Sequence, residues 1–416
     1  MGLVRPVPPL ARLGLSLACG LAAAVALAGA APRAQTGETP PDPIEALQDR
    51  LLKGEVSLDH HVGGWGYLPS VLQALHIPVE SQVLVFSKTS LQFPKIAPQT
   101  PRAIYFNDDT AVGAVQGGSV IEVTTTGADG RIAFYALPAA RADQPKFSRE
   151  STACLGCHSS AGGLAPGMIV ANIVPRPDGS PLFVQPDRMF ELTDSRTPFE
   201  QRWGGWYVTG EAGRMRHNGN VFLEREGSPE LDPVKGLNVT DLTSRFDVGR
   251  YLTPTSDIVA LMTLEHQIGA MNRMWSLQGG ATDVEDLVAY LLGVGEAPLP
   301  SPVKGNSPFA QSFAARGPFD ARGRSLREFD LRTRLFRYPL SYMVYSRAFD
   351  SIRPVVRERI YRRLFDILSG ADASPKYAAL SPEGRRAALE ILVATKPDLP
   401  GYWRSAAPAN LDQARR

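Results

Sequence analysis

Five residues near the middle of the chain, Cys154-Leu155-Gly156-Cys157-His158, constrain it more than any other stretch. Two thiols separated by two residues, with an imidazole directly behind the second, form the Cys-x-x-Cys-His pattern through which exported proteins hold haem covalently. Chemistry explains the spacing. Thiols add to the haem vinyl groups as thioethers, one tight turn carries both of them, and the adjacent histidine is left beneath the iron as proximal ligand. Three other readings compete. A Cys-x-x-Cys dithiol can act as a redox-active disulfide or form a structural one. Zinc would need about four ligands, and no second cysteine pair exists to supply them. Chance is the third, and with three cysteines in the whole chain it is a weak one.

Haem is attached covalently on the outer face of the bacterial inner membrane, so the motif predicts export to a periplasmic or secreted setting. The N-terminus agrees. Arg5 and Arg12 make a basic start, residues 13–27 are apolar or small, and Ala28-Gly29-Ala30 offers a cleavage site. The run is short for a membrane span of about 20 residues. A lipoprotein signal would end at Cys19, but Ser16-Leu17-Ala18 precedes it and apolar residues continue beyond it, so removal with the signal is expected. Residues 1–30 therefore read as a signal peptide and 31–43 as a disordered lead-in. With 44 basic and 42 acidic residues, nothing favours nucleic acid or an anionic membrane surface. No later run approaches transmembrane length. A simple electron carrier needs only about 100 residues. This chain has 416, and the surplus calls for a larger scaffold.

Taken in order, residues 43–53 and 68–75 read as short helices, the second ended before Pro78. From Gln82 the pattern becomes extended. Val83-Leu84-Val85-Phe86, Ala103-Ile104-Tyr105-Phe106, Ser119-Val120-Ile121-Glu122-Val123 and Ile132-Ala133-Phe134-Tyr135-Ala136-Leu137 are strand candidates. Gly127-Ala128-Asp129-Gly130 makes the last two a hairpin. An antiparallel sheet thus leads into the motif through the polar Phe147-Ser148-Arg149-Glu150. Residues 159–167 read as a loop able to curl round a flat cofactor, 168–174 as a strand, and Leu182-Phe183-Val184 as its return. Trp203, Trp206 and Tyr207 read as core, with a wall of a haem crevice as the sharper alternative. Beyond Thr253 the chain turns helical: a long helix capped by Ser256-Asp257 and running to about Trp275, then 284–292, 326–336, 354–368 and 382–395. Residues 305–323 read as a connector. The dense arginines of this half, Arg327, Arg332, Arg334 and Arg363 among them, read as a solvated surface. The expectation is an α+β fold with a β-rich haem domain at 44–252, a helical region at 253–405 and a flexible tail at 406–416.

What the haem does depends on the far side of the iron. A second protein ligand suits electron transfer, while an open position allows small ligands to bind. Met168, ten residues after His158, is the first candidate, and a methionine in such a place is otherwise core. His217 follows, in a Gly and Asn-rich loop with Arg214 and Arg216 available for the propionates. His266 on the long helix is third. His60, His61 and His76 are weaker candidates.

Several stretches resemble a group of exported bacterial proteins with a cytochrome c domain. They are Cys154-Leu155-Gly156-Cys157-His158-Ser159-Ser160, Pro166-Gly167-Met168, Arg202-Trp203-Gly204-Gly205-Trp206-Tyr207-Val208-Thr209-Gly210 and Arg216-His217-Asn218-Gly219-Asn220. Tyr251-Leu252-Thr253-Pro254, the segment from Ser256 to Met262, and Arg332-Thr333-Arg334-Leu335-Phe336-Arg337-Tyr338-Pro339 belong to the same resemblance. It implies one covalent haem c with its iron and a periplasmic or secreted setting, and no particular activity. Where Met168 stands, members of the group can carry histidine, so methionine here implies the other common axial side chain. The expected function is one-electron transfer with a redox partner protein. The alternatives are a haem enzyme acting on peroxide or an organic substrate, and a haem-based binding module.

Overall fold

Alternation of side chains above and below the backbone decides the first half of the architecture. In this computed structural model, which describes residues 41–150, 152–158, 167–182, 191–223, 231–279 and 283–405, six strands follow one another as an antiparallel meander. They are β1 (Val83–Val85), β2 (Arg102–Phe106), β3 (Thr110–Ala114), β4 (Val120–Thr126), β5 (Ile132–Pro138) and β6 (Ser148–Glu150). Two later pairs of residues, β7 (Ala171–Asn172) and β8 (Glu191–Leu192), form a separate ribbon, and β9 (Trp206–Tyr207) adds to the free side of β1. The main sheet therefore runs β6-β5-β4-β3-β2-β1-β9.

Each face of the sheet meets a different core. Leu84, Ala103, Tyr105, Val112, Ile121 and Tyr135 point to one side, against α1 (Pro43–Leu52) and α2 (Leu68–Ala74). Asp42 starts α1 by accepting the Ile44 amide at 2.8 Å. Val83, Val85, Phe106 and Ala111 point to the other side and join the larger, helical core. At its centre runs α4 (Ile258–Gly279), capped by Asp257, whose Oδ1 accepts the Val259 amide at 2.8 Å. Its residues from Ile258 to Met271 are mostly buried all round, as a core helix should be. Around it lie α5 (Val284–Leu291), α6 (Phe309–Ala315), α7 (Arg347–Asp350), α8 (Pro354–Leu368), α9 (Pro382–Thr395) and α10 (Gly401–Ser405). Among the described residues no helix is long and apolar enough to cross a membrane.

The α+β organisation, with strands first and helices later, is as expected. Its two halves share one core: Phe106, Trp203 and Val208 belong to the same cluster as Leu261, Leu364 and Leu392. Four local expectations fail. Residues 168–174 form only the two-residue β7, because Met168 is bonded sideways to Asn272 and not along a strand. The 305–323 connector contains α6, whose Phe309 and Phe313 are buried. Residues 326–336 are no helix but a reversed turn: Asp330 accepts the Arg332 and Thr333 amides, Leu331 adopts φ 55°, and Phe329 bridges Phe336. Arg327 is no surface residue either; it is buried against Asp108 at the β2–β3 turn. The signal peptide (1–30), most of the lead-in, the 159–166 loop, Phe183, Val184 and the tail (406–416) fall outside the described residues.

Candidate functional site

The strand β6 hands the chain to a short helix, α3 (Thr152–His158), which carries the whole motif. Cys154, Cys157 and His158 stand at i, i+3 and i+4, so one face of a single helical turn presents both thiols and the imidazole. Cys154 is half-buried and Cys157 exposed. Burial, followed by the Glu122 and Glu150 carboxylates, pushes the Cys154 thiol up to about 11.

His158 is held by two contacts. Its ring meets Phe134 of β5 at 4.7 Å between centroids. Its Nδ1 lies 2.6 Å from the carbonyl oxygen of Gly167. A carbonyl can only accept, so Nδ1 carries the proton and donates it, and the lone pair is left on Nε2. Burial lowers the pKa of the ring below its ordinary 6.5, which favours the neutral imidazole. Gly167 and Met168 are in turn tied to α4. The Met168 amide donates to Asn272 Oδ1 at 2.9 Å, and Asn272 Nδ2 donates to the Met168 carbonyl at 2.8 Å.

Beside His158 opens a cleft of about 320 Å³, at the small end of the range for ligand sites, about 300–1,000 Å³. Met168, Val170, Leu192 and Ile268 give it an apolar wall. Asn272 and Arg273 add polar groups to the lining, Arg273 bridging Asp194 at 3.0 Å and Asp286 at 2.8 Å while its guanidinium covers the Tyr290 ring at 4.0 Å. The cleft's backbone is braced from behind by Glu265. This fully buried carboxylate accepts from Arg202 at 2.8 Å, from the Thr193 hydroxyl at 2.6 Å and from the Trp203 indole at 3.3 Å. Under the motif, on the same side of the sheet as Phe134, Arg102 pairs with Glu122 across Gly113, where any side chain would collide with the guanidinium. The Nε of Arg102 is buried with no partner among the described residues.

The expected site residues separate spatially. Met168 lines the cleft with His158 and is 8% exposed. His217 is buried elsewhere, its Nδ1 accepting the Gly219 amide at 3.1 Å and its ring 5.2 Å from Trp203; burial lowers it to about 4. His266 is also lowered to about 4 by burial, with Nε2 2.7 Å from Ser341 Oγ and its ring stacked on Tyr290. Neither lines the cleft. Arg214 donates to the Pro300 carbonyl, at 3.2 Å. His60 bonds the Ala139 carbonyl at 2.9 Å and His61 the Ser70 hydroxyl at 3.4 Å, while His76 ends the turn after α2 with φ 53°. Trp203, Trp206 and Tyr207 are core, as the blander reading expects. Sequence reasoning missed Gly167, Asn272, Phe134 and the Arg102–Glu122 pair. The one available signal was Asn272, one of several polar side chains on a helix that is otherwise core.

Do these residues fit a haem? The donor set does: two thiols on one helical face, and a neutral imidazole whose inner nitrogen is satisfied by a backbone carbonyl, leaving the outer one for iron. Zinc fits less well, because among the described residues no group of three His, Cys, Asp or Glu side chains could hold a metal ion. No family model, curated protein or solved structure matches the chain.

Proposed function

We propose that the chain is an exported c-type haem protein whose activity is one-electron transfer to a redox partner in the periplasm or outside the cell. Cys154 and Cys157 are the thioether anchors, and His158 is the proximal ligand through Nε2. Bound there, a haem supplies a one-electron couple at its iron; the rest is the work of the chain. The observation that carries the reading is the 2.6 Å bond from His158 Nδ1 to the Gly167 carbonyl. It fixes the tautomer, orients the ring and raises its basicity, the three things a protein does for a metal-bound imidazole. The Phe134 ring limits rotation of the imidazole, and burial keeps it unprotonated.

Met168 is the candidate for the sixth position under this reading. One observation favours a second reading, in which that position is open to a small ligand and the protein binds it or acts on it. Gly167 accepts from Nδ1 and so lies behind the imidazole, away from iron. Met168 is the next residue and has both backbone groups tied to Asn272. Its backbone is therefore held on the Nδ1 side of the imidazole, which would leave its side chain poorly placed to serve as a second ligand opposite Nε2.

Optical and resonance Raman spectra of the holoprotein in both redox states test the proposal. Electron transfer predicts six-coordinate, low-spin iron that ignores carbon monoxide, with Met168→Ala abolishing that state. High-spin iron that takes up carbon monoxide, unchanged by Met168→Ala, would establish the second reading. If no haem survives denaturing electrophoresis of the wild type, both fail.

A further inference from the structure

The amide that ties Met168 to α4 is oddly placed for a purely structural group. Asn272 comes from a helix in the C-terminal half, 104 residues away from Met168, and it spends both ends of its side chain on one backbone unit. That unit is joined through its peptide bond to Gly167, whose carbonyl takes the His158 proton. Gly167 is also where the approach is closest. A Cβ there would stand 2.5 Å from Asn272 Oδ1 and 2.8 Å from its Cγ, both backed by a rigid buried helix, so nothing larger than glycine lets the amide in. The three bonds form one relay: Asn272 to Met168, Met168 to Gly167 through the chain, Gly167 to His158.

We propose that Asn272 is a positioning residue for the haem iron, setting the reduction potential from the far end of this relay by holding the Gly167 carbonyl on the Nδ1 proton of His158. The proposal rests on the haem reading above. A firmly held carbonyl draws the proton away from Nδ1 and makes the imidazole a stronger donor. A stronger donor stabilises the oxidised iron more than the reduced one. Release of the carbonyl does the reverse. No bond in the protein is made or broken on reduction; one electron enters from the external reductant, and the relay only biases the equilibrium.

The experiment is a redox titration of the holoprotein with Asn272→Ala and Asn272→Leu, the second branched at the same carbon as asparagine but unable to make either bond. Both should favour the reduced form about tenfold relative to wild type, about 59 mV upward for a one-electron couple. Retention of haem on denaturing gels is scored alongside. Wild type without covalent haem would sink the haem reading itself; variants that keep haem and titrate like wild type would sink only the relay. Should neither variant fold, the unaltered protein decides. Nitrogen NMR of His158 in reduced, carbon-monoxide-treated or low-spin protein should find its Nδ1 proton slow to exchange with solvent, and rapid exchange overturns the proposal.

Discussion

The two faces of the main sheet are made by the same strands and do opposite things with their polar groups. On the face beneath α1 and α2, every polar side chain described above finds a partner of ordinary chemistry: the Tyr105 hydroxyl donates to Gln82 at 2.6 Å, and Tyr135 donates to Asp42 at 3.0 Å. On the face beneath the motif, Arg102 is tied to Glu122 yet keeps a buried nitrogen unmatched, and Glu122 and Glu150 bear on a half-buried thiol. An unmatched buried donor costs about 1–3 kcal/mol. Both faces build hydrophobic core, but only the second keeps a buried donor unmatched, and it does so beneath the motif.

This contrast can be broken by substitution. The largest expected effect is on the motif side: Cys154→Ser with Cys157→Ser should remove all haem that survives denaturing electrophoresis, while thermal melting of the apoprotein stays where it was. Next comes the brace behind the cleft. Glu265→Ala leaves buried Arg202 without its counter-charge, and should cost about 3–5 kcal/mol of unfolding free energy in urea. Tyr105→Phe, on the quiet face, should cost about 1–3 kcal/mol and leave haem content and spectra unchanged. If it altered the spectra, the separation of the two faces would be wrong.

The smallest effect concerns Asp109 at the β2–β3 turn, which accepts the Arg347 amide at 2.7 Å. Burial and then the neighbouring Asp108 carboxylate push it from 3.8 up to about 6. Because the folded state binds the proton more tightly than the unfolded one, this group's contribution is complete below about pH 4 and is lost as pH rises through about 6. Asp109→Asn should flatten that stretch of the stability profile. Melting temperatures between pH 4 and 7.5 would measure it.

How much of this was legible depended on whether a signal was local. The helices α4, α8 and α9 were, because Asp257, Pro354 and Pro382 mark their starts, and apolar residues fill α4 and recur along one side of α8 and α9. The hairpin at Gly127–Gly130 was read correctly, since the Gly127 amide does bond Arg131 across it. Strand β3 was overlooked although turn residues flank it on both sides; Thr110-Ala111-Val112-Gly113-Ala114 is too small and too short to stand out. The segment 326–336 misled because Glu328 with Arg332 and Asp330 with Arg334 stand four residues apart, as in a helix, whereas Asp330 turns the chain locally and Glu328 pairs with Arg337. Arg327 and Asp108 lie 219 residues apart, and nothing in either neighbourhood announces the other. The motif itself was visible from its spacing, but the carbonyl and amide that hold its histidine come from segments only the tertiary fold brings together.

One consequence of the strand order concerns assembly. The edge of the sheet is completed by β9, and the relay by α4, both of which follow α3 in the chain. A chain delivered from its N-terminus therefore presents Cys154, Cys157 and His158 before the elements that fix Gly167 behind the imidazole exist. At that stage the meander β1–β6 can pair locally strand by strand, while β1 still lacks β9 on its other side. The order of elements thus sets a schedule. Under the haem proposal, attachment to the open chain would precede closure by the later helices.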